Sequence, residues 1–98
     1  MFEEKNRVAE LFEVNNGEYL NECMLTNAVN QNMLVNAILY LQNLTGDEVN
    51  YCANHDIIYL DFFKSDNYSK IKEEDVIYLL RSGVYWDSEC EYCMAMFC

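Results

Sequence analysis

Apolar and polar positions recur along this chain with two different periods, and the change of period divides it near Gly46. In the stretch TNAVNQNMLVNAILYLQNLTG, residues Val29, Met33, Leu34, Ala37, Ile38, Leu41 and Leu44 return every three or four positions, the spacing of one helical face. The pattern predicts a helix over residues 27–44, with Thr26 capping its start and Thr45-Gly46 ending it. Opposite the stripe lies an uncharged polar face of Asn30, Asn32, Asn36 and Asn43.

Upstream, Val8, Leu11 and Phe12 predict a first helix over 2–14 that turns Glu3, Glu10 and Glu13 outward, and Asn15-Asn16-Gly17 breaks it. Leu20 and Met24, at helical spacing, predict a short second helix in GEYLNECML. Fused to the 27–44 helix it would make a rod of about 40 Å, against a radius of gyration near ~13 Å for this length, so a bend is expected over 25–27.

Beyond Gly46 the β-branched and aromatic runs 49–53 and 56–63, joined by Asn54-His55, predict a β-hairpin. Ile58, Leu60 and Phe62 share one face, while Ile57, Tyr59, Asp61 and Phe63 share the other, wetter one. A polar loop over 64–69 follows. Next comes a helix over 73–82, with Glu73, Glu74 and Asp75 in its first turn, Arg81 in its last and Gly83 just beyond, an order that suits the helix dipole. The ending GVYWDSECEYCMAMFC reads as a second hairpin, out over 84–86 and back over 92–97 around a turn at 87–91. The expected fold is α+β, a single domain over 1–98: N-terminal helices packed on a small antiparallel sheet made of two β-hairpins flanking a short helix.

Composition adds three constraints. With 98 residues, 52% of them hydrophobic and 14% aromatic, the chain can build a core without disulfides or a metal and is too apolar for an acidic disordered segment. It begins without a basic stretch leading into an apolar run, and no window reaches the roughly 18 apolar residues of a membrane span, so a soluble, cytoplasmic protein is expected. Its five cysteines, an odd number with three crowded at the end, fit a reducing compartment better than a disulfide framework.

Charge changes the picture most. Seventeen acidic residues against six basic ones give a net charge of −11, which disfavours direct binding to nucleic acid or to an anionic membrane and favours a basic protein partner. The acids are spread over predicted elements rather than gathered in a tail. Fixed on a compact fold they repel one another and destabilise it, a cost that binding can offset.

Candidate chemistry is sparse. Cys52-Ala-Asn-His55 and Cys90-Glu-Tyr-Cys93 each sit at a predicted turn and, if they converged, would supply a tetrahedral zinc site. The glycine and basic residues usual around such thiolates are missing, and buried free cysteine is the default, so no metal and no cofactor are expected. His55 is the single histidine, its acidic surroundings would raise a thiol pKa, and no acid, base and nucleophile set is complete, so the chain reads as non-enzymatic. Asp47-Glu48 and the acids of 87–91 read as solvated turns. The tyrosines 59, 68, 78, 85 and 92 and Trp86 read as sheet and core residues, of which an exposed subset beside carboxylates would anchor a basic groove.

By size, acidity and lack of a catalytic motif, the chain resembles small phage-encoded inhibitors of bacterial defence, anti-CRISPR proteins in particular. Its ending IKEEDVIYLLRSGVYWDSECEYCMAMFC is similar to the helix-plus-hairpin ends of small phage proteins. Anti-CRISPR proteins share no common motif, so no residue is carried over from them. The resemblance implies a stoichiometric inhibitor that covers a nucleic-acid-binding surface of a Cas effector or another basic defence protein. Lysines and arginines of that partner would then meet Glu3, Glu10 and Glu13 of the first helix, or Asp87, Glu89 and Glu91 of the last hairpin. Two other readings stand beside it: a homodimeric or larger accessory protein whose acidity serves solubility, and a zinc-stabilised adaptor.

Overall fold

Three helices and one antiparallel sheet carry the chain, in a computed structural model that describes residues 3–21, 28, 31–54 and 56–97. In order these are α1 (Glu3–Val14), a 3-10 turn (Asn16–Glu18), α2 (Met33–Thr45), β1 (Val49–Asn54), β2 (Ile57–Phe62), a 3-10 run (Ser65–Lys70), α3 (Glu73–Arg81), β3 (Tyr85–Asp87) and β4 (Cys93–Phe97). The sheet order is β1-β2-β4-β3, so the return strand of the second hairpin lies beside the return strand of the first. Both hairpins form, and the α+β architecture is the expected one.

Register explains how the sheet is used. Leu60 stands opposite Tyr51 on one side and Met94 on the other, and Met94 stands opposite Trp86. One sheet face therefore carries Val49, Leu60, Phe62, Met94 and Met96, all buried, against Val8 and Phe12 of α1, Ala37 and Leu41 of α2 and Val76, Leu79 and Leu80 of α3. Each large side chain withdrawn from water there contributes about 1.5–3 kcal/mol. The second face carries the row Cys52, Tyr59, Ala95 and Tyr85, none of which belongs to the core shared with the helices.

Several local expectations are corrected. Asn32 is extended at φ −77°, and its side chain accepts from the amides of Leu34 and Val35, so α2 starts at Met33 and not at residue 27. Thr26 and Val29 lie outside the described residues. At the other end Gly46 adopts φ 72° and donates to the Gln42 carbonyl, the left-handed stop read from the pattern. In the described part of the expected second helix, residues 17–21, a short 3-10 turn stands instead: Leu20 is left-handed at φ 59° and its amide donates across the fold to the Leu80 carbonyl at 2.9 Å. Residues 22–27, which include Met24 and the expected bend, lie outside the described residues.

The 64–69 loop is instead a 3-10 run built around Tyr68, which is fully buried with its ring edge-on to Phe62 and Trp86. Asn36, expected on the polar face of α2, is also fully buried; its amide donates to Ser82 Oγ at 2.9 Å and its carbonyl accepts from the Tyr78 hydroxyl at 2.5 Å. Asp75 does more than favour a helix start: buried, it accepts from the Lys72 amide and from the Tyr40 hydroxyl at 2.6 Å. Among the described residues, no helix is long and apolar enough to cross a membrane.

Candidate functional site

A concavity of about 630 Å³ runs between α1 and the edge strand β3. Helical geometry builds one wall: Asn6, Ala9, Glu10 and Glu13 share a face of α1, and the small Ala9 leaves room between them. Phe12, on the neighbouring face, is buried and forms part of the floor with Leu80. The other wall is aromatic, made by Tyr85 and Trp86 of β3 with Tyr19 after the 3-10 turn and Tyr92 before β4, and Ser88 of the last turn closes it.

The rings are held by one another. Tyr19 meets Tyr85 edge-on at 6.1 Å, and Trp86 lies between Phe12 at 5.9 Å and a perpendicular Tyr92 at 5.2 Å. Tyr92 takes a left-handed backbone, φ 50°, and its hydroxyl donates to Asn6 Oδ1, which pins the hairpin turn to α1. Trp86 Nε1 is buried and has no hydrogen-bond partner among the described residues; aromatic rings lie around it instead.

The structure divides the six acids marked by the sequence. Glu10 and Glu13 line this groove, and Glu3 continues their exposed stripe toward the start of α1, about 10 Å along the axis from Glu10. Asp87 ends β3 half-buried and acts on its own turn, accepting from the amides of Glu91 at 3.0 Å and Glu89 at 3.4 Å. Glu89 is exposed on that turn. Glu91, also exposed, faces a smaller depression on the second face of the sheet with Asp61, Tyr59, Cys52 and Cys93. Asp87 and Glu91 are thus separated from the groove that Glu10 and Glu13 share.

None of the six takes part in an ion pair among the described residues, whereas most of the chain's bases are engaged elsewhere. Arg7 binds Glu4 and the carbonyls of Tyr68 and Ile71, Arg81 binds Glu18, and Lys64 faces Asp47. Lys5 sits 3.5 Å from Asp61 and 5.5 and 5.9 Å from the ring centres of Tyr68 and Tyr92. Lys70 donates to the Thr45 carbonyl.

Among the described residues no three His, Cys, Asp or Glu side chains come together as a metal would require. Cys90 is exposed on the last turn, while Cys93 is buried in β4, where burial first and the Asp61 carboxylate second push its thiol up to about 12. That is the behaviour of a packed thiol and the opposite of an activated one. His55 lies outside the described residues.

Sequence reasoning named Tyr85, Trp86 and Tyr92 only as an undivided aromatic set and missed Asn6, Ala9, Asn16 and Tyr19 as groove residues. The signal was present for α1, since positions 6, 9, 10 and 13 share a helical face; the pairing of that face with β3 is tertiary. Comparison with known proteins finds no matching family model, no matching curated protein and no matching solved structure.

Proposed function

We propose that this chain is a non-enzymatic acidic binding protein that covers a basic, nucleic-acid-binding surface of another protein, in the manner of an anti-CRISPR inhibitor on a Cas effector. One observation carries the reading: Glu10 and Glu13, with no ion-pair partner among the described residues, flank an aromatic groove between α1 and β3. Glu10 and Glu13 are about 4.5 Å apart along the helix axis and Glu3 is about 10 Å further back. Duplex DNA presents one charge per roughly 1.7 Å. The acidic face supplies a sparser version of that field, and the aromatic groove adds contact area of the kind concentrated in binding hot spots.

The test is charge reversal under varied salt. Glu3→Lys/Glu10→Lys/Glu13→Lys and Asp87→Lys/Glu89→Lys/Glu91→Lys, each checked for folding by circular dichroism, should weaken capture of basic nucleic-acid-binding proteins, and wild-type capture should fall steeply with salt. Unchanged capture by both variants defeats the proposal.

A second reading has its own observation. Phe97 on the second sheet face is 64% exposed and stacks on Tyr85 at 5.1 Å, an apolar surface suited to a second copy of the chain. Light scattering separates the two, since a dimer formed through Phe97 persists in high salt and is lost in Phe97→Ser.

A further inference from the structure

We propose that the groove between α1 and β3 receives an arginine side chain presented by an extended basic segment of the partner protein. This rests on the reading of the chain as an acidic binding protein and specifies what its groove recognises.

Size comes first. A volume of about 630 Å³ lies within the span of small-ligand sites, roughly 300–1,000 Å³. The α1 wall runs from Asn6 past Glu13 toward Asn16, about 15 Å at the helical rise, which is the length of four or five extended residues.

Chemistry then selects the occupant. One wall offers ring surfaces and the other offers Glu10 and Glu13, three positions apart with no ion-pair partner among the described residues. An anion would be repelled, and a neutral apolar group would strip water from two carboxylates without replacing it. A guanidinium satisfies both walls: it lies flat on an aromatic ring while its edge donors reach the carboxylates, whereas an ammonium supplies only a point charge. The chain already solves this problem internally, holding Lys5 among Asp61, Tyr68 and Tyr92. Lys5 already lies 5.9 Å from the Tyr92 ring centre, so the rings without a cation of their own among the described residues, Tyr19 and Tyr85, stand with Glu13 to receive an incoming one.

Trp86 is the single tryptophan, so its fluorescence reports on the groove directly. The probes are a capped heptapeptide of alternating glycine and arginine, its lysine counterpart, and its citrulline counterpart, which keeps the shape without the charge. The arginine peptide should shift the emission saturably, the lysine peptide should bind about fivefold or more weakly, and the citrulline peptide should give no response. Glu10→Gln/Glu13→Gln, with an unchanged circular dichroism spectrum, should bind the arginine peptide about tenfold or more weakly. An equal response to citrulline or to lysine, or wild-type affinity in the double variant, overturns the proposal. Retention of basic proteins on the immobilised chain is read alongside. Retention without any Trp86 response overturns the groove alone, whereas a Trp86 response to arginine without retention supports the groove and removes the broader reading.

Discussion

Replacing Asn36 with alanine tests whether the joint between α2 and α3 depends on a buried polar network. Asn36 is fully buried, bonded to Ser82 Oγ at 2.9 Å and to the Tyr78 hydroxyl at 2.5 Å. Tyr78 in turn stacks on Tyr40 with centroids 3.9 Å apart, and Tyr40 donates to Asp75. The substitution removes two hydrogen bonds at about 1 kcal/mol each and leaves a void costing about 1 kcal/mol more. Alanine's better helix propensity returns about 0.5 kcal/mol, so the net loss is about 2–3 kcal/mol. For a domain of this size that lowers Tm by roughly 10–20 °C. Urea and thermal unfolding followed by circular dichroism measure it, with Asn43→Ala, exposed on the same helix, as the control expected within about 0.5 kcal/mol of wild type. A double-mutant cycle with Tyr78→Phe should show coupling of about 1 kcal/mol. If Asn36→Ala costs no more than Asn43→Ala, the network does not carry the joint.

Two further outcomes follow from protonation and burial. Native protein treated with iodoacetamide near about pH 8 should be alkylated at the exposed Cys52 and Cys90 and spared at Cys93 until denaturant is added, as read by peptide mass spectrometry; equal labelling of all three contradicts the packing of β4. Burial, then the Asp61 carboxylate, holds the Tyr68 phenol protonated well above its ordinary range, and burial, then Asp75, does the same for Tyr40. An unfolded chain releases those protons near pH ~10, so this stabilisation is complete below about pH 10 and declines as pH rises past it. Urea midpoints that stay flat through about pH 11 would show that the two phenols are not held this way.

The parts of the fold legible in the chain were those written in a single element. The stripe of Val8 and Phe12, the alternation of Ile58, Leu60 and Phe62, and the glycine stop at Gly46 all appear where pattern places them. What pattern misplaced depends on partners far along the chain. Leu20 leaves helical geometry for a hydrogen bond to Leu80, and Asn36 abandons a polar stripe because Tyr78 and Ser82 of a later helix satisfy it. Tyr68, in a stretch that reads as a loop, is fully buried because Phe62 and Trp86 accommodate its ring and Asp61 accepts its hydroxyl. The start of α2 was a contest between caps, and the side chain of Asn32, with two amides to bind, sets it.

The candidate site divides along the same line. Helical spacing was enough to turn Glu10 and Glu13 outward. The aromatic wall they face exists only because β3, the far edge of the sheet, comes to rest beside α1, and Asp87 is drawn instead into bracing its own turn.

The central claim, that the acidic face stands in for nucleic acid on a basic partner, is tested most directly by competition. The chain is immobilised, lysate of a bacterium that carries a CRISPR system is passed over it at low salt, and duplex DNA is used to elute. The account predicts that nucleic-acid-binding proteins are retained, that DNA releases them, and that Glu3→Lys/Glu10→Lys/Glu13→Lys retains far less. Retention that DNA does not displace, or that both the reversed helix and Asp87→Lys/Glu89→Lys/Glu91→Lys match, would contradict it.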